Sequence, residues 1–382
     1  MAAEAAEPPP HEVAKEMTTT ATDLDDLRMR MERWLSATVG AEAVVGEITR
    51  PPEAGMSNVS LLFDASWTHD GVTQTAGLVA RMAPDTAAVP VFPEYDLRRQ
   101  FEVIRTVSER SAVPVPRMRW VEDSAAVLGS PFIVMDRIDG RVPVDNPPYV
   151  FLGWYFDASP RERRALQDAS VRLLAQLHAI PDARETFPGL ATGVGPDALR
   201  SHVDAQRRYY EWTRRLDSMR IPVIEDAFDW LEAHWPKVQG ETVLSWGDSR
   251  IGNMIFDGFE PVAVLDWEMA SLGPAEIDVA WFIFIHRFFQ DIAEMFEQPG
   301  LPDVSRRMDV VETYEAASGR ALHDLDFYLV YAALRHAVVM SQVKRRMIHF
   351  GEDTEPATPD EYVMHHATLR AMIDGSYDWS TK

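Results

Sequence analysis

The residues with the most chemistry in them fall in one stretch. It runs Ser245-Trp246-Gly247-Asp248-Ser249-Arg250-Ile251-Gly252-Asn253-Met254 and continues to Leu265-Asp266-Trp267-Glu268. Asp248, Asn253 and Asp266 offer oxygens, and oxygen ligands suit a hard divalent cation such as Mg²⁺, which takes a few protein oxygens and the rest from water and phosphate. Between Asn253 and Asp266 lie two short strand-like pieces, Met254 to Asp257 and Val262 to Leu265, joined across Gly258-Phe259-Glu260-Pro261, a connection of hairpin length. If they pair, the chain folds back and Asn253 and Asp266 finish side by side at the open end, with the strands about 4.8 Å apart. Their amide oxygen and carboxylate then converge on one Mg²⁺. Asp248, on the preceding loop, stands over the same point uncommitted to the metal, where an acceptor for a substrate hydroxyl proton is needed. The residues alone leave open whether this is a site or three polar residues capping strand ends. Arg250 either reaches a transferred phosphoryl group or is a surface loop charge.

Those side chains meet only if the rest of the chain supplies a frame. A helix starts at Thr22 or Asp23, with Leu24, Leu27, Met31 and Leu35 on one face. Up to about residue 138 the signals are then those of strands. Val59 to Trp67 and Thr73 to Met82 flank Thr68-His69-Asp70-Gly71, where Asp-Gly marks a turn; Arg117 to Val121 and Pro131 to Ile138 follow. One helix interrupts them, with Pro93 at its start and Leu97, Phe101, Ile104 and Ser108 along one side. Val142 to Phe156, with its prolines and with Tyr149, Phe151, Trp154, Tyr155 and Phe156, reads as a loop or lid rather than a core element. Ser159-Pro160-Arg161-Glu162 is a capping box with Pro at the first helical position. Helical spacing then dominates over 160–180, 198–216, 224–235, 277–296, 303–318 and 325–349, with 243–266 as the one β-like stretch. The expected organisation is a flexible leader over 1–22, a strand-rich part over 23–138 and a larger helical part over 139–382.

The chain has 382 residues, enough for a sizeable core, and Lys+Arg 37 against Asp+Glu 60 gives a net charge of −23. That charge argues against non-specific binding to nucleic acid or anionic lipid. The count of Cys is 0, which removes disulfides, thiolate nucleophiles and Cys-ligated metals together. The start, MAAEAAEPPPHEVAK, lacks the apolar run of a signal peptide, and the strongly apolar run Val279 to Ile285 is far short of the ~20 residues of a membrane helix. A cytoplasmic protein that engages neither membrane nor nucleic acid is expected, with the oligomeric state left open. Gly193-x-Gly195-x-x-Ala198 matches a dinucleotide fingerprint in form, but no strand precedes it. His178 and His336 lie in apolar helical stretches and read as core histidines, Asp278 as a carboxylate bracing a loop or helix start, and Lys344-Arg345-Arg346 as a solvated helix end.

Gly247-Asp248-x-x-x-x-Asn253 followed by Leu265-Asp266-Trp267-Glu268 resembles the catalytic loop and metal-binding segment of the aminoglycoside phosphotransferase family, a branch of the protein-kinase-like fold. The likeness extends over nearly the whole chain after residue 22, and is nearest to actinobacterial members without an established acceptor. Ser57-Asn58 resembles the family's nucleotide-covering turn. Val79-Ala80-Arg81 falls at the third strand, and Pro131 to Gly140 at the hinge strand and linker. The resemblance implies an α+β, bilobal fold with a small strand-rich N-lobe and a larger helical C-lobe. It implies Asp248 as catalytic base, Asn253 and Asp266 as Mg²⁺ ligands, Arg81 on phosphate, and ATP with its adenine against the backbone of Asp136 to Ile138. The implied activity moves the γ-phosphoryl group of ATP to a hydroxyl of a small molecule; a cationic aminoglycoside suits the acidic helical part, and the aromatic residues Tyr149, Phe151, Trp154, Tyr155 and Phe156 hint equally at an apolar or acyl-bearing acceptor. The chain departs from the pattern at three places. Trp246 stands where the family has His, as a packing and backbone-holding residue; Arg81 stands where protein kinases have Lys; and Gln100 stands where the helix partner of that residue is a Glu. An Arg81–Gln100 hydrogen bond is the expected substitute for the ion pair. Together the departures are the ground for the alternative, a catalytically impaired nucleotide-binding regulatory module.

Overall fold

A computed structural model describes residues 24–51, 59–84 and 89–379. The leader expected over 1–22, and Ser57 and Asn58, lie outside the described residues. Helix α1 (Leu24–Val39) is followed by β1 (Ala43–Val45), β2 (Val59–His69), β3 (Val72–Met82), α2 (Leu97–Arg110), β4 (Met118–Glu122) and β5 (Phe132–Asp136). The strands form one antiparallel sheet in the order β1-β2-β3-β5-β4. His69 pairs with Val72, so Asp70 and Gly71 alone make the turn, both at positive φ (50° and 75°), as a hairpin with right-handed strand twist requires. Leu27, Met31 and Leu35 of α1 close over Leu61, Phe63, Leu78 and Val134 on one sheet face. The helix expected from Pro93 begins later. Pro93 lies in the preceding loop, and the Asp96 carboxylate accepts from Arg99 N at 2.8 Å, making it the N-cap.

The rest is mostly helical: α3 (Pro160–His178), the single turns α4 (Ala183–Thr186) and α5 (Pro188–Ala191), α6 (Ala198–Thr213), α7 (Pro222–Ala233), α8 (Glu276–Met295), α9 (Arg307–Ser318), α10 (Leu325–His349) and α11 (His366–Ile373). Two ribbons sit among them, β6 (Thr242–Ser245) with β9 (Ser271–Pro274) and β7 (Met254–Asp257) with β8 (Glu260–Val264). Helix α8 is buried almost all round and packs along α10, so it can act as a rigid post for whatever leans on it.

Two local expectations are corrected. Residues 142–156 hold no regular element, yet Tyr149, Val150 and Tyr155 are buried in the large core and the Tyr149 hydroxyl bonds His286 Nδ1 at 3.0 Å. The segment is an anchored strap rather than a lid, because its aromatics have more apolar surface to bury than a loop could leave exposed. Arg345 and Arg346 do not end a solvated helix: Arg345 is buried against Asp217 and Arg346 donates to Val89 O. No helix among the described residues is long and apolar enough to cross a membrane.

Candidate active site

The site is built outward from the end of β6. Asp278, in the first turn of α8, is fully buried and takes four donors: Ser245 Oγ at 2.8 Å, Trp246 N at 2.7 Å, Gly247 N at 2.9 Å and His178 Nε2 at 3.0 Å. Burial alone would push this carboxyl up, but His178, the Gly247 N–H and the Ser245 hydroxyl outweigh it and hold it below the usual range. It braces the loop and does not face it as a reactant. Gly247 has φ +92°, and a Cβ there would stand 2.2 Å from Met269 O, so only glycine lets the chain turn toward Asp248. Trp246 is buried, and its indole N–H donates to Leu265 O (2.9 Å) and Asp266 O (3.1 Å). The tryptophan thus ties the Asp248 loop to the Asp266 side of the site.

The expected ribbon is present. Met254 pairs with Val264, and Leu265 N donates to Asn253 O at 2.8 Å, so Asn253 and Asp266 leave the same end of the β7–β8 hairpin. The turn is tighter than the four residues expected, since Asp257 already pairs with Glu260. Asp266 has φ +56°, an unusual left-handed conformation for a residue with a Cβ, which costs on the order of 1–3 kcal/mol and is kept where surrounding contacts enforce it. Its Oδ1 meets Arg81 Nη2 at 2.6 Å, and Glu268 Oε2 lies 3.5 Å from the same nitrogen. Burial works against the charge on Arg81, but Asp266 and then Glu268 more than offset it, and its pKa is raised. The expected Arg81–Gln100 bond is not among the described hydrogen bonds. Gln100 is buried on α2, and the guanidinium has turned to two carboxylates, which bind it more strongly than a neutral amide.

Asp248 lies at the centre. Asn253 Nδ2 donates to its Oδ2 at 2.7 Å and to its backbone O at 3.1 Å. Trp281 Nε1, on α8, donates to Oδ1 at 2.8 Å. Arg250 Nε donates to both oxygens at 3.1 and 3.0 Å, and its Nη1 pairs with Asp145 in the strap. Arg250 is therefore not a loose surface charge. Burial disfavours its ionised form, yet Asp248 and Asp145 overcome that and raise its pKa. At the other border of the site, Asp136 ends β5 with its carboxylate on Arg119 Nε at 2.6 Å and its N–H on Arg117 O, while Arg137 N donates to Gly77 O. Ile138 follows with a backbone N–H that has no backbone partner among the described residues.

The structure thus brings Asp248, Arg250 and Asn253 into direct contact and pairs Arg81 with Asp266, with no hydrogen bond between Arg81 and Gln100 among the described residues. The sequence reading missed Asp145, Glu268, Trp281 and Arg335 as neighbours of this group. For Trp281 a signal existed: it lies three residues after Asp278, on the same helix face.

A family model described as the phosphotransferase enzyme family matches residues 72–328, more than half of the chain. The chain belongs to this family, that of the aminoglycoside phosphotransferases. Among curated relatives, acyl-CoA dehydrogenase family member 10 of Mus musculus is 25% identical over 319 residues, 80% of this chain and 27% of that protein. Family member 11 of Homo sapiens is 26% identical over 281 residues, 71% of this chain and 34% of that protein. The chain spans about a third or less of the length of the curated relatives it matches. Among solved structures, a Ralstonia eutropha protein assigned to the aminoglycoside phosphotransferases superposes with TM-score 0.62 at 21% identity, covering 92% of this chain and 97% of that one. A thermostable mutant of the aminoglycoside phosphotransferase APH(4)-Ia, in ternary complex with ADP and hygromycin B, gives TM-score 0.52 at 17% identity over 91% and 99%. Such likenesses show the fold: an α+β, protein-kinase-like architecture with a strand-rich N-terminal sheet and a helical C-terminal part.

Family resemblance implies Mg²⁺, and the donor set fits it. Among the described residues no group of three or more His, Asp or Glu side chains could hold a metal by itself. Mg²⁺ does not ask for one, since it is usually bound by one or two protein oxygens with water and phosphate filling the octahedron. Because Nδ2 of Asn253 is committed to Asp248, the amide oxygen is the atom left to accept, and Asp266 adds a carboxylate at the same hairpin end.

Proposed function

We propose that this protein transfers the γ-phosphoryl group of MgATP to a hydroxyl of a small molecule. The observation that carries the reading is the Asp248–Asn253 bond of 2.7 Å at the mouth of the β7–β8 hairpin from which Asp266 also emerges. Asn253 and Asp266 would hold the metal, which when bound neutralises charge on the phosphates. The adenine lies against the backbone of Asp136 to Ile138, and Arg81 would reach the phosphates once Asp266 exchanges its guanidinium for the metal, a role in which its planar donor fork is effective. By the family resemblance, Ser57 and Asn58 would supply the nucleotide-covering turn. Asp248 takes the proton of the acceptor hydroxyl as that oxygen bonds to phosphorus; the bond from phosphorus to the bridging oxygen breaks, and ADP leaves with its electron pair. Arg250 neutralises charge on the moving group. Catalysis is then mostly placement and electrostatics.

On the acceptor, two lines of support differ. The superposed APH(4)-Ia binds hygromycin B, whereas the curated relatives carry acyl-CoA dehydrogenase names and are longer than this chain. The aromatic strap no longer supports an apolar acceptor, since Tyr149 and Tyr155 are core residues. An alcohol on an acyl chain is the reading we favour, from the relatives' names. The test is phosphoryl transfer from labelled ATP across a panel holding hygromycin B, a macrolide and hydroxyacyl thioesters, with calorimetric MgATP binding alongside. Asp248→Ala is expected to lose turnover by at least a hundredfold with nucleotide affinity kept. Binding without turnover on any alcohol would favour the regulatory module, for which Gln100 and the Arg81–Asp266 pair speak.

A further inference from the structure

Asp248 is gripped from two directions. Arg250 and Asn253 belong to its own loop and travel with it. Trp281 stands on α8 and donates its Nε1–H to Asp248 Oδ1 at 2.8 Å. Asp278, three residues earlier on the same helix face, holds the backbone N–H groups of Trp246 and Gly247. One face of α8 therefore fixes both the backbone leading into the loop and the side chain at its tip. The indole is itself held. Trp281 is 3% exposed, the Arg335 guanidinium from α10 lies 4.6 Å from its ring centroid, and Arg335 Nη2 donates to Gly247 O at 3.1 Å. His336 meets the ring edge-on at 6.1 Å.

The two neighbouring buried indoles behave differently. Trp246 donates to Leu265 O and Asp266 O, and Trp267 to Val264 O, which are backbone carbonyls that satisfy a packed ring. Trp281 instead spends its only donor on the one carboxylate at the centre of the site. An indole N–H donates and does not accept, so it cannot carry a proton to or from substrate. What it can do is aim.

We propose that Trp281 is a positioning residue for phosphoryl transfer: its N–H anchors the Asp248 carboxylate to the rigid α8, so that when Arg250 turns from Asp248 to the transferred phosphoryl group the lone pairs it frees face the acceptor hydroxyl. The inference rests on the reading of Asp248 as the group that takes the hydroxyl proton. Arg335 backs the arrangement by clamping the ring and the Gly247 carbonyl together, two points on either side of the base.

Trp281→Phe keeps a ring in the core and removes the donor. Wild type, Trp281→Phe and Asp248→Ala are compared for MgATP affinity by calorimetry, for melting temperature, and for turnover, with water as acceptor if no alcohol has been found. Trp281→Phe is expected to lower kcat tenfold to a hundredfold, the scale of a slightly misplaced catalytic group, while KM for ATP stays within twofold. Unchanged kcat overturns the proposal. So does a loss of nucleotide affinity parallel to the loss of kcat, because a ring needed only for packing would move both. A second measurement does not depend on activity or on the folding of Trp281→Phe: the ¹⁵N-labelled indole N–H resonance of Trp281 is expected to shift upfield in Asp248→Ala, and an identical position in the two proteins refutes the bond. Wild-type turnover in Asp248→Ala overturns the base assignment and with it the positioning role. An inactive Asp248→Ala beside a fully active Trp281→Phe overturns the role of Trp281 alone.

Discussion

Asp278 shows how a carboxylate buried behind a candidate site can hold that site together. Its carboxylate is the shared partner of Ser245, Trp246 N, Gly247 N and His178, all in the interior. Removing it leaves those donors buried and unpaired, and breaking a buried network of this kind costs about 3–5 kcal/mol. Asp278→Ala is therefore expected to lower the urea midpoint steeply, and a loss under 1 kcal/mol would contradict the bracing role. At this scale the sequence was informative where spacing encodes contact. Asp248 and Asn253 are joined within one loop, and the hairpin returns Asp266 to them. It was uninformative about Asp145 and Glu268, because an acidic residue's partner a hundred positions away leaves no local trace. The Arg81–Gln100 bond failed for the same reason: which of several groups a long guanidinium reaches depends on where the sheet sits over the hairpin.

Among the elements, those announced by local chemistry came out as expected. Ser159 accepts from Glu162 N while Glu162 Oε2 accepts from Ser159 N at 2.8 Å, which completes the capping box ahead of α3. Ser159→Ala should cost about 1 kcal/mol, read as a shift in the denaturant midpoint without change in its slope. Helix α10 occupies Leu325–His349, the span its apolar period announces. The failures were of another kind. β9 (Ser271–Pro274) has glycine and proline in four residues and lies outside the one expected β-like stretch, 243–266, yet it is a strand because Thr242 to Ser245 lies beside it. β1 and α11 are too short to show a period. Pro93 offers a helix-start signal, yet α2 begins at Leu97 because the Asp96 carboxylate caps it there.

For the molecule as a whole, the helical core contains histidines that must stay neutral. Burial pushes His202 down to about 3, with Arg335 adding to the effect, and His286 and His365 each down to about 4. In the unfolded chain these groups titrate near 6.5, so the unfolded state binds more protons between about pH 4 and 6.5 and stability falls as the pH is lowered through that window. Each histidine can contribute up to about 1.4 kcal/mol per pH unit there. Chemical denaturation at pH 7.5 and pH 5 should show the lower midpoint at pH 5, and a flat profile would mean that these rings are not kept neutral. The same core explains the strap. Tyr149 stacks on His286 at 5.8 Å between centroids and bonds its Nδ1, so a segment with the composition of a loop is pinned into the interior next to Asp145.

By itself the amino-acid sequence determined the two-part α+β architecture, the hairpin and the identity of the oxygens gathered at its mouth, because periodicity, caps and turn residues act within a dozen positions. Tertiary structure alone decided which cation faces which carboxylate. It turned Arg81 to Asp266 and Glu268, set Arg250 between Asp248 and Asp145, and laid an indole N–H from α8 on Asp248. Those choices follow from the distance and burial of groups far apart in the chain, and electrostatic and hydrogen-bond energies depend on both.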